Sequence, residues 1–499
     1  MKFLLCFCLA LSPCAILPAQ HSFTIDTTRK YQTITGFGAS DAWSNDFLML
    51  MSETDRNIAA DRLFSTDNGP DGSPLGIGLS IWRFNIGTGS SEQGDSSRIH
   101  DPYRRTEYLF PRPGSIGHGG QQGAIWMLRA ARKRGVDKIV MFSNSPPVSI
   151  TKNGRAFSGQ CGESNLDMEK NGLYADYLVS SIKYLEEQNI DIDFLSPVNE
   201  PEWGWCEGDN QEGCPWENAQ IADLSRRISS RLRSLDLKTG IQVPESGLLL
   251  FTNAGGRFRP GRQDHIRDFF SERSDNYIGG ETNTARMICA HGYFTEWPLW
   301  LMRHVRKKTA RLTGKYGIEY WMSEYCILKK TREIEGGGRD LGMKTALYVS
   351  RVIHHDLVYG NAAAWCWWLG ISAADFKDGL LYAERDGTGL TGSKTLWAMG
   401  NFSRFVRPGA TRIGISGKYD REFLVSAYRN PSTGDLVIIV INMKKDSQEL
   451  TIRNLPEGNV TAWETSSGSN LVRRPAGTQG NLLTVSPGSI TTFIISQQY

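Results

Sequence analysis

Between residue 31 and about residue 402, short apolar runs alternate with amphipathic stretches, and this alternation restricts the fold more than any other feature. Four runs end near Gly36-Phe37-Gly38, Trp82-Arg83-Phe84-Asn85, Val140-Met141-Phe142-Ser143 and Phe194-Leu195-Ser196-Pro197. Four more end near Ile241-Gln242-Val243-Pro244, Met287-Ile288-Cys289-Ala290, Tyr320-Trp321-Met322-Ser323 and Ala364-Trp365-Cys366-Trp367. Between them apolar residues recur at helical spacing. Ala124, Met127, Leu128 and Ala131 form one stripe, and Leu173, Tyr177, Leu178, Ile182 and Leu185 form another. Eight strands at intervals of roughly 30–60 residues, interleaved with helices, predict an α/β fold, a (β/α)8 TIM barrel with long loops.

The pattern changes after Phe402. Phe423–Tyr428, Asp435–Asn442 and Ser489–Ile495 read as strands separated by turn clusters such as Asn430-Pro431-Ser432-Thr433-Gly434. Residues 403–499 are therefore expected to form an antiparallel β-sandwich side domain. A strand-like segment at Ser22–Asp26, within residues 21–30, is expected to join it, leaving residues 31–402 as the barrel. No linker of low complexity separates the two parts.

Residues 1–20 read as a leader rather than as fold. Lys2 precedes the apolar run Phe3–Leu17, and small residues surround Pro18-Ala19-Gln20. This is the layout of a secretory signal peptide, too short for a membrane anchor, so a secreted, periplasmic or cell-surface protein is expected. Cys14 raises a lipoprotein signal, which Pro13 directly before it fits poorly. Six cysteines follow the leader: Cys161, Cys206, Cys214, Cys289, Cys326 and Cys366. Export permits disulfides. Either Cys206 pairs with Cys214, or one of them pairs with Cys161. The other three lie in strand-like runs, where a buried thiol is expected.

Composition excludes several classes. A net charge of +3 over 499 residues leaves no dominant field, so no nucleic-acid partner is expected. The basic stretch Arg226-Arg227…Arg231-Leu232-Arg233 reads as a solvated helix face, because Ile221, Leu224, Ile228, Leu232 and Leu235 recur behind it. No close His/Cys spacing suggests a metal site, and no cofactor is expected. Nothing beyond the leader is apolar for long enough to insert in a membrane, and a monomer is expected. Fourteen tryptophans and seventeen tyrosines beside eight histidines are a mild pointer to sugar, whose apolar faces stack on aromatic rings.

Barrel enzymes carry their chemistry at the C-terminal ends of the strands. Two ends stand out. Ser196-Pro197-Val198-Asn199-Glu200-Pro201 ends the fourth strand, and Pro201 biases Glu200 away from helical geometry. An Asn-Glu-Pro tripeptide alone arises by chance in about one chain of this length in twenty. Its place at a strand end is what gives it meaning. Ser323-Glu324-Tyr325 ends the seventh strand. Carboxylates on strands four and seven can face each other across the barrel mouth, one protonated and one ionised, as glycoside hydrolysis requires.

With these motifs the chain resembles glycoside hydrolase family 30 along essentially its whole mature length. The resemblance rests on Gly36-Phe37-Gly38-Ala39-Ser40, Trp82-Arg83-Phe84-Asn85-Ile86-Gly87, Ser143-Asn144-Ser145-Pro146-Pro147, Ser196–Pro201, Ser323-Glu324-Tyr325 and the terminal β domain. It implies Glu200 as acid/base, Glu324 as nucleophile, Asn199 as partner of the sugar 2-hydroxyl, and Arg83 as the group that orients the nucleophile. It also implies a retaining mechanism with carboxylates about 5–5.5 Å apart. Further expected contacts with substrate are Asp41 and Trp43 after the first strand, Asn144 after the third, and His291 and Tyr293 after the sixth. At the eighth strand end stand Trp365, Trp367 and Trp368, of which one floors the subsite while a neighbour points into the packing behind. The Trp-rich insertion with Trp203 and Trp205, running to Trp216, resembles the endo-β-1,6-galactanase branch of that family and would line the leaving-group side. A xylan-active enzyme, another β-glycosidase of the family, and a non-catalytic carbohydrate-binding protein are the alternatives.

Overall fold

A computed structural model describes residues 20–496 apart from residue 44 and residues 111–118, 255–258 and 477–480. Apart from Gln20, which opens a strand, the expected leader lies outside the described residues. The eight barrel strands fall where the apolar runs predict them. They are Gly36–Ser40, Ile81–Ile86, Lys138–Ser143, Phe194–Ser196, a broken fifth, then Met287–His291, Glu319–Glu324 and Ala362–Ser372. The fifth consists of Gly240–Ile241 and Pro244–Ser246. Its first half pairs with strand four and its second with strand six, all in parallel. Gln242 N–H donates to the Leu195 carbonyl at 2.8 Å and Cys289 N–H to that of Val243 at 3.0 Å, so the break is bridged on both sides. Strand eight pairs with strand one, Ala364 opposite Gly36, and the sheet closes on itself.

Alternation along the strands divides their side chains. Ile81, Val140, Cys289, Trp321, Ala364 and Cys366 form a small cluster inside the barrel, while Trp82, Ile139 and Trp365 belong to the larger core under the helices. Helix Gln122–Lys133 buries its predicted stripe. Helix Asn171–Glu186 does so except at Leu173, which is exposed, while the adjacent Tyr174 and Ala175 are buried. Helix Asn218–Ser234 buries Ile221, Leu224, Ile228 and Leu232, with Arg227 paired to Asp223 and Arg231 to Asp176 on the wet side. Leu235, one residue past its end, is exposed.

The side domain is a nine-stranded sheet folded over its own core, which includes Phe23, Ile413, Ile438, Leu450 and Phe493. The strand Gln20–Thr33 pairs antiparallel with Thr411–Gly417 and parallel with Gln448–Arg453, so the chain's first strand belongs to its last domain. Helix Lys394–Ser403 joins the two parts: Asn401 Nδ2 donates to Trp463 O at 3.1 Å and Thr492 Oγ1 at 3.0 Å. Among the described residues, no helix is long and apolar enough to cross a membrane. Of the two readings of the cysteines, the structure contains the Cys161–Cys206 bridge, and Cys214 is a buried thiol like Cys289, Cys326 and Cys366. Cys326 sits two residues beyond its strand rather than inside it.

Candidate active site

Strand four delivers Glu200 to the barrel mouth with an unusual backbone. Pro201 disfavours the right-handed helical region, and Glu200 adopts φ 43°, a left-handed conformation uncommon outside glycine. Three hydrogen bonds hold it there. Its N–H donates to Glu245 O at 2.8 Å, and its carbonyl accepts from Trp205 Nε1 at 2.9 Å and Trp203 N at 3.2 Å. Strain kept by surrounding structure is a mark of functional positions.

Glu324, at the end of strand seven, is met by donors on both oxygens. Arg83 Nη1 donates to Oε2 at 2.9 Å and the Tyr293 hydroxyl to Oε1 at 2.8 Å. Arg83 comes from strand two and lies 4.4 Å from the Phe142 ring centroid, which pins the buried guanidinium in place. Burial disfavours its charge, but Glu245 and then Glu324 outweigh burial and raise its pKa. His291 bridges the two carboxylates, with Nδ1 2.8 Å from Glu200 Oε1 and 3.5 Å from Glu324 Oε1. One oxygen of Glu200, one of Glu324 and a His291 nitrogen all lie within 4.8 Å of one another. Burial raises the pKa of Glu200; the Glu324 charge adds to that rise, while His291 and Arg83 oppose it.

A third carboxylate completes the group. Glu245, just past the break in strand five and fully buried, accepts from Ser196 Oγ at 2.7 Å and from the Ser323 hydroxyl. His291 Nε2 lies 3.2 Å from its Oε2 and Arg83 Nη2 3.5 Å away. Burial opposes its ionisation, yet Arg83, His291 and Ser323 together lower its pKa to about 2. The same carboxylates raise His291 to about 10, against burial: Glu324 first, then Glu200 and Glu245. Sequence reading ends strand five at Pro244 and misses Glu245 by one residue.

A cavity of about 330 Å³ opens over Glu200 and Glu324, lined also by Trp43, Asn144, Asn199, Tyr293 and Trp368. Gln211, from the Trp-rich insertion, shares its wall, as do Arg104 and Asp378, which the sequence does not single out. Asn199 Oδ1 accepts no hydrogen bond from the described residues. On the far side of Glu200 a second hollow of about 320 Å³ is lined by Trp203, Trp205, Gln211, Phe294 and Leu328. Glu200, Gln211, Tyr293 and Leu328 border both, so the two form one cleft. Trp203 lies close against Gly247, where an added Cβ would be 2.3 Å from its ring nitrogen. The Trp-rich loop is anchored by more than aromatics. Cys206 is tied to Cys161, and buried Glu212 accepts from Thr88 and Ser90 at 2.5 Å and Thr106 at 2.7 Å.

Four expected contacts lie outside the cleft lining, among them the fully buried His291, which meets the carboxylates instead. Asp41 is fully buried outside the cavity lining, with Asn85 N–H donating to its carboxylate at 2.9 Å; burial raises its pKa to about 7. Trp365 and Trp367 stack on each other behind strand eight, and their ring nitrogens donate to Asp356 Oδ2 at 3.0 Å and Asp378 O at 2.5 Å. Alternation explains it: Cys366 points into the barrel, so Trp368 continues that face into the cavity, and its odd-numbered neighbours face the helices. Trp368 meets Trp43 edge-on at 5.2 Å.

A closed (β/α)8 barrel with two carboxylates facing each other across its C-terminal mouth has the architecture of an O-glycosyl hydrolase. Comparison with known proteins agrees and narrows the class. Residues 20–382 match the model of O-glycosyl hydrolase family 30, and residues 409–493 match the glycosyl hydrolase family 30 beta sandwich domain. The chain belongs to family 30. It is 24% identical to the glucuronoxylanase XynC of Bacillus subtilis (strain 168) over 96% of this chain and 93% of that one. It is 23% identical to an endo-beta-1,6-galactanase of Hypocrea rufa over 78% and 76%. Among solved structures, a conserved exported protein from Bacteroides fragilis superposes with a TM-score of 0.87 at 26% identity, covering 95% of this chain and 100% of that one.

Proposed function

We propose that the protein is an exported, retaining endo-hydrolase of β-1,6-galactan, with Glu200 as general acid/base and Glu324 as nucleophile. The observation that carries the mechanism is the approach of the two carboxylates, an oxygen of each within 4.8 Å of the other. Retaining enzymes hold the two carboxyl groups about 5–5.5 Å apart, and one imidazole nitrogen reaching an oxygen of each, at 2.8 and 3.5 Å, fits that spacing better than the about 6.5–9.5 Å of inverting ones. Glu324, held by Arg83 and Tyr293, attacks the anomeric carbon. Glu200, whose protonated form burial favours, gives its proton to the glycosidic oxygen, and the leaving chain departs as an alcohol. A glycosyl ester remains on Glu324. The ionised Glu200 then takes a proton from the water that attacks this ester, and both carboxyls return to their starting states. Asn199 Oδ1 takes the sugar 2-hydroxyl.

The substrate reading rests on the Trp203 loop and on the galactanase relative. A cleft that continues past Glu200 on both sides accommodates a chain cut internally. Glucuronoxylan is the second reading, because the xylan-active relative matches nearly the whole chain. Export is supported by the leader-like residues 1–20 and by the likeness to a conserved exported protein from Bacteroides fragilis. The test is incubation with β-1,6-galactan, β-1,6-glucan and glucuronoxylan, with products sized and their first-formed anomer read by NMR. Galacto-oligosaccharides appearing as the β-anomer are expected. Xylo-oligosaccharides alone would move the assignment to xylan, and an α-anomer would overturn the retaining mechanism.

A further inference from the structure

The active site holds more charge than the two-carboxylate reaction needs. Glu245 contacts neither cavity and is fully buried, so it does not meet substrate. Yet both cations that touch the reacting pair also face it: Arg83 Nη2 at 3.5 Å and His291 Nε2 at 3.2 Å. Four barrel strands contribute to this arrangement. Strand two supplies Arg83, strand four Ser196, strand six His291 and strand seven Ser323. The buried thiols Cys289 and Cys366 approach from strands six and eight and remain protonated, since burial raises both.

We propose that Glu245 is the positioning residue that keeps the working proton of this enzyme in place, acting through His291 and Arg83. Arg83, His291, Glu245 and Glu324 meet in one buried cluster. Arg83 and His291 carry two positive charges, and Glu245 and Glu324 carry two negative ones. The group is neutral when Glu200 is protonated. Removing the Glu245 charge leaves a surplus positive charge in a low-dielectric enclosure, and a buried group relieves such a surplus by releasing a proton. The proton leaves Glu200 or the imidazole at a lower pH than before. Loss from Glu200 removes the acid itself, and loss from the imidazole leaves one of the two carboxylates that His291 faces without its donor. Glu245 also fixes which way His291 turns, because its oxygen anchors Nε2 and thereby aims Nδ1 at Glu200.

This inference rests on the acid/base assignment of Glu200, and its test separates the two. The variants are Glu245→Gln, which keeps shape and removes charge, and Glu245→Asp, which restores charge with a shorter reach. The alkaline limb of kcat/KM in Glu245→Gln is expected to move at least one pH unit lower, so that activity on the alkaline side falls about tenfold or more. Glu245→Asp is expected to return the limb most of the way. A Glu245→Gln enzyme with a lower kcat but an unmoved limb overturns the proposal, as does an upward shift. Because Glu245→Gln could fail to fold, imidazole ¹⁵N NMR on the wild-type protein gives a second reading. His291 is expected to stay doubly protonated through pH 8, and a His291 that turns neutral between pH 6 and 8 overturns the charge count. If Glu200→Ala left the pH profile intact, the acid/base assignment would fail rather than the Glu245 role alone.

Discussion

The ends of strands four and seven carry the same side chain in opposite surroundings. At strand seven, Glu324 receives a guanidinium and a phenol, one on each oxygen. At strand four, Glu200 has a single ring nitrogen within 2.8 Å and is enclosed by protein that disfavours its charge. One environment is built for an anion and the other for an acid. The difference lies entirely in what neighbouring strands contribute, since the residues themselves are identical. Two identical carboxyls can therefore divide the labour of one reaction without any difference in their own chemistry.

The harshest way to break this comparison is to remove the anion. Glu324→Ala leaves Arg83 and Tyr293 with nothing to hold and the sugar with no nucleophile, so kcat/KM should fall about 10⁴-fold or more. Activity above a few per cent of wild type would assign the nucleophile elsewhere. Removing the acid should act selectively. Glu200→Ala is expected to slow polysaccharide cleavage by about 10²–10⁴-fold. With a leaving group that needs no protonation, the first step should survive, and intact-mass spectrometry should detect a glycosyl-enzyme on Glu324.

The pH dependence follows from the same contrast. The pKa of Glu200 is raised by burial, so its proton is held above the usual carboxyl range and lost as pH rises through the folded value. The alkaline limb of wild-type kcat/KM should accordingly lie above an ordinary glutamate's titration. A smaller perturbation sharpens the strand-seven side. Tyr293→Phe removes one of the two donors to Glu324, a charged hydrogen bond worth about 1.5–3 kcal/mol, and should lower kcat roughly 10–100-fold with KM changed less.

How far the sequence reached depends on how local the signal is. Strand positions were readable because apolar runs and helical stripes are properties of neighbouring residues; even the break in strand five falls inside its predicted run. Glu200 and Glu324 were readable because both sit at strand ends, His291 and Tyr293 because they follow the sixth strand, and Arg83 through the family resemblance. Glu245 was not, since its partners come from four separate strands and no spacing in the chain announces them. Asp41 illustrates the opposite error. It follows a strand, as the site residues do, but the first strand turns it toward the Asn85 backbone and away from the cleft. The cysteine pairing was undecidable because Cys206 and Cys214 share a loop, and only folding brings Cys161 within a Cα–Cα distance of 5.1 Å of Cys206.

The tryptophans of strand eight give the mildest test and the most direct one of strand alternation. Trp368 lines the cavity beside Trp43, and Trp365, three residues earlier, faces Asp356 behind the barrel. Trp368→Ala removes a stacking surface for the sugar and should raise KM about tenfold while leaving the melting temperature little changed. Trp365→Phe should do the reverse. It deletes a 3.0 Å hydrogen bond to a buried carboxylate that Arg306 and Tyr320 continue to share, costing about 1–3 kcal/mol of stability, and should leave KM within about twofold of wild type. Should Trp365→Phe raise KM as much as Trp368→Ala, strand eight would not divide its faces as its alternation requires. The cleft floor would then have to include the residue now placed against the helices.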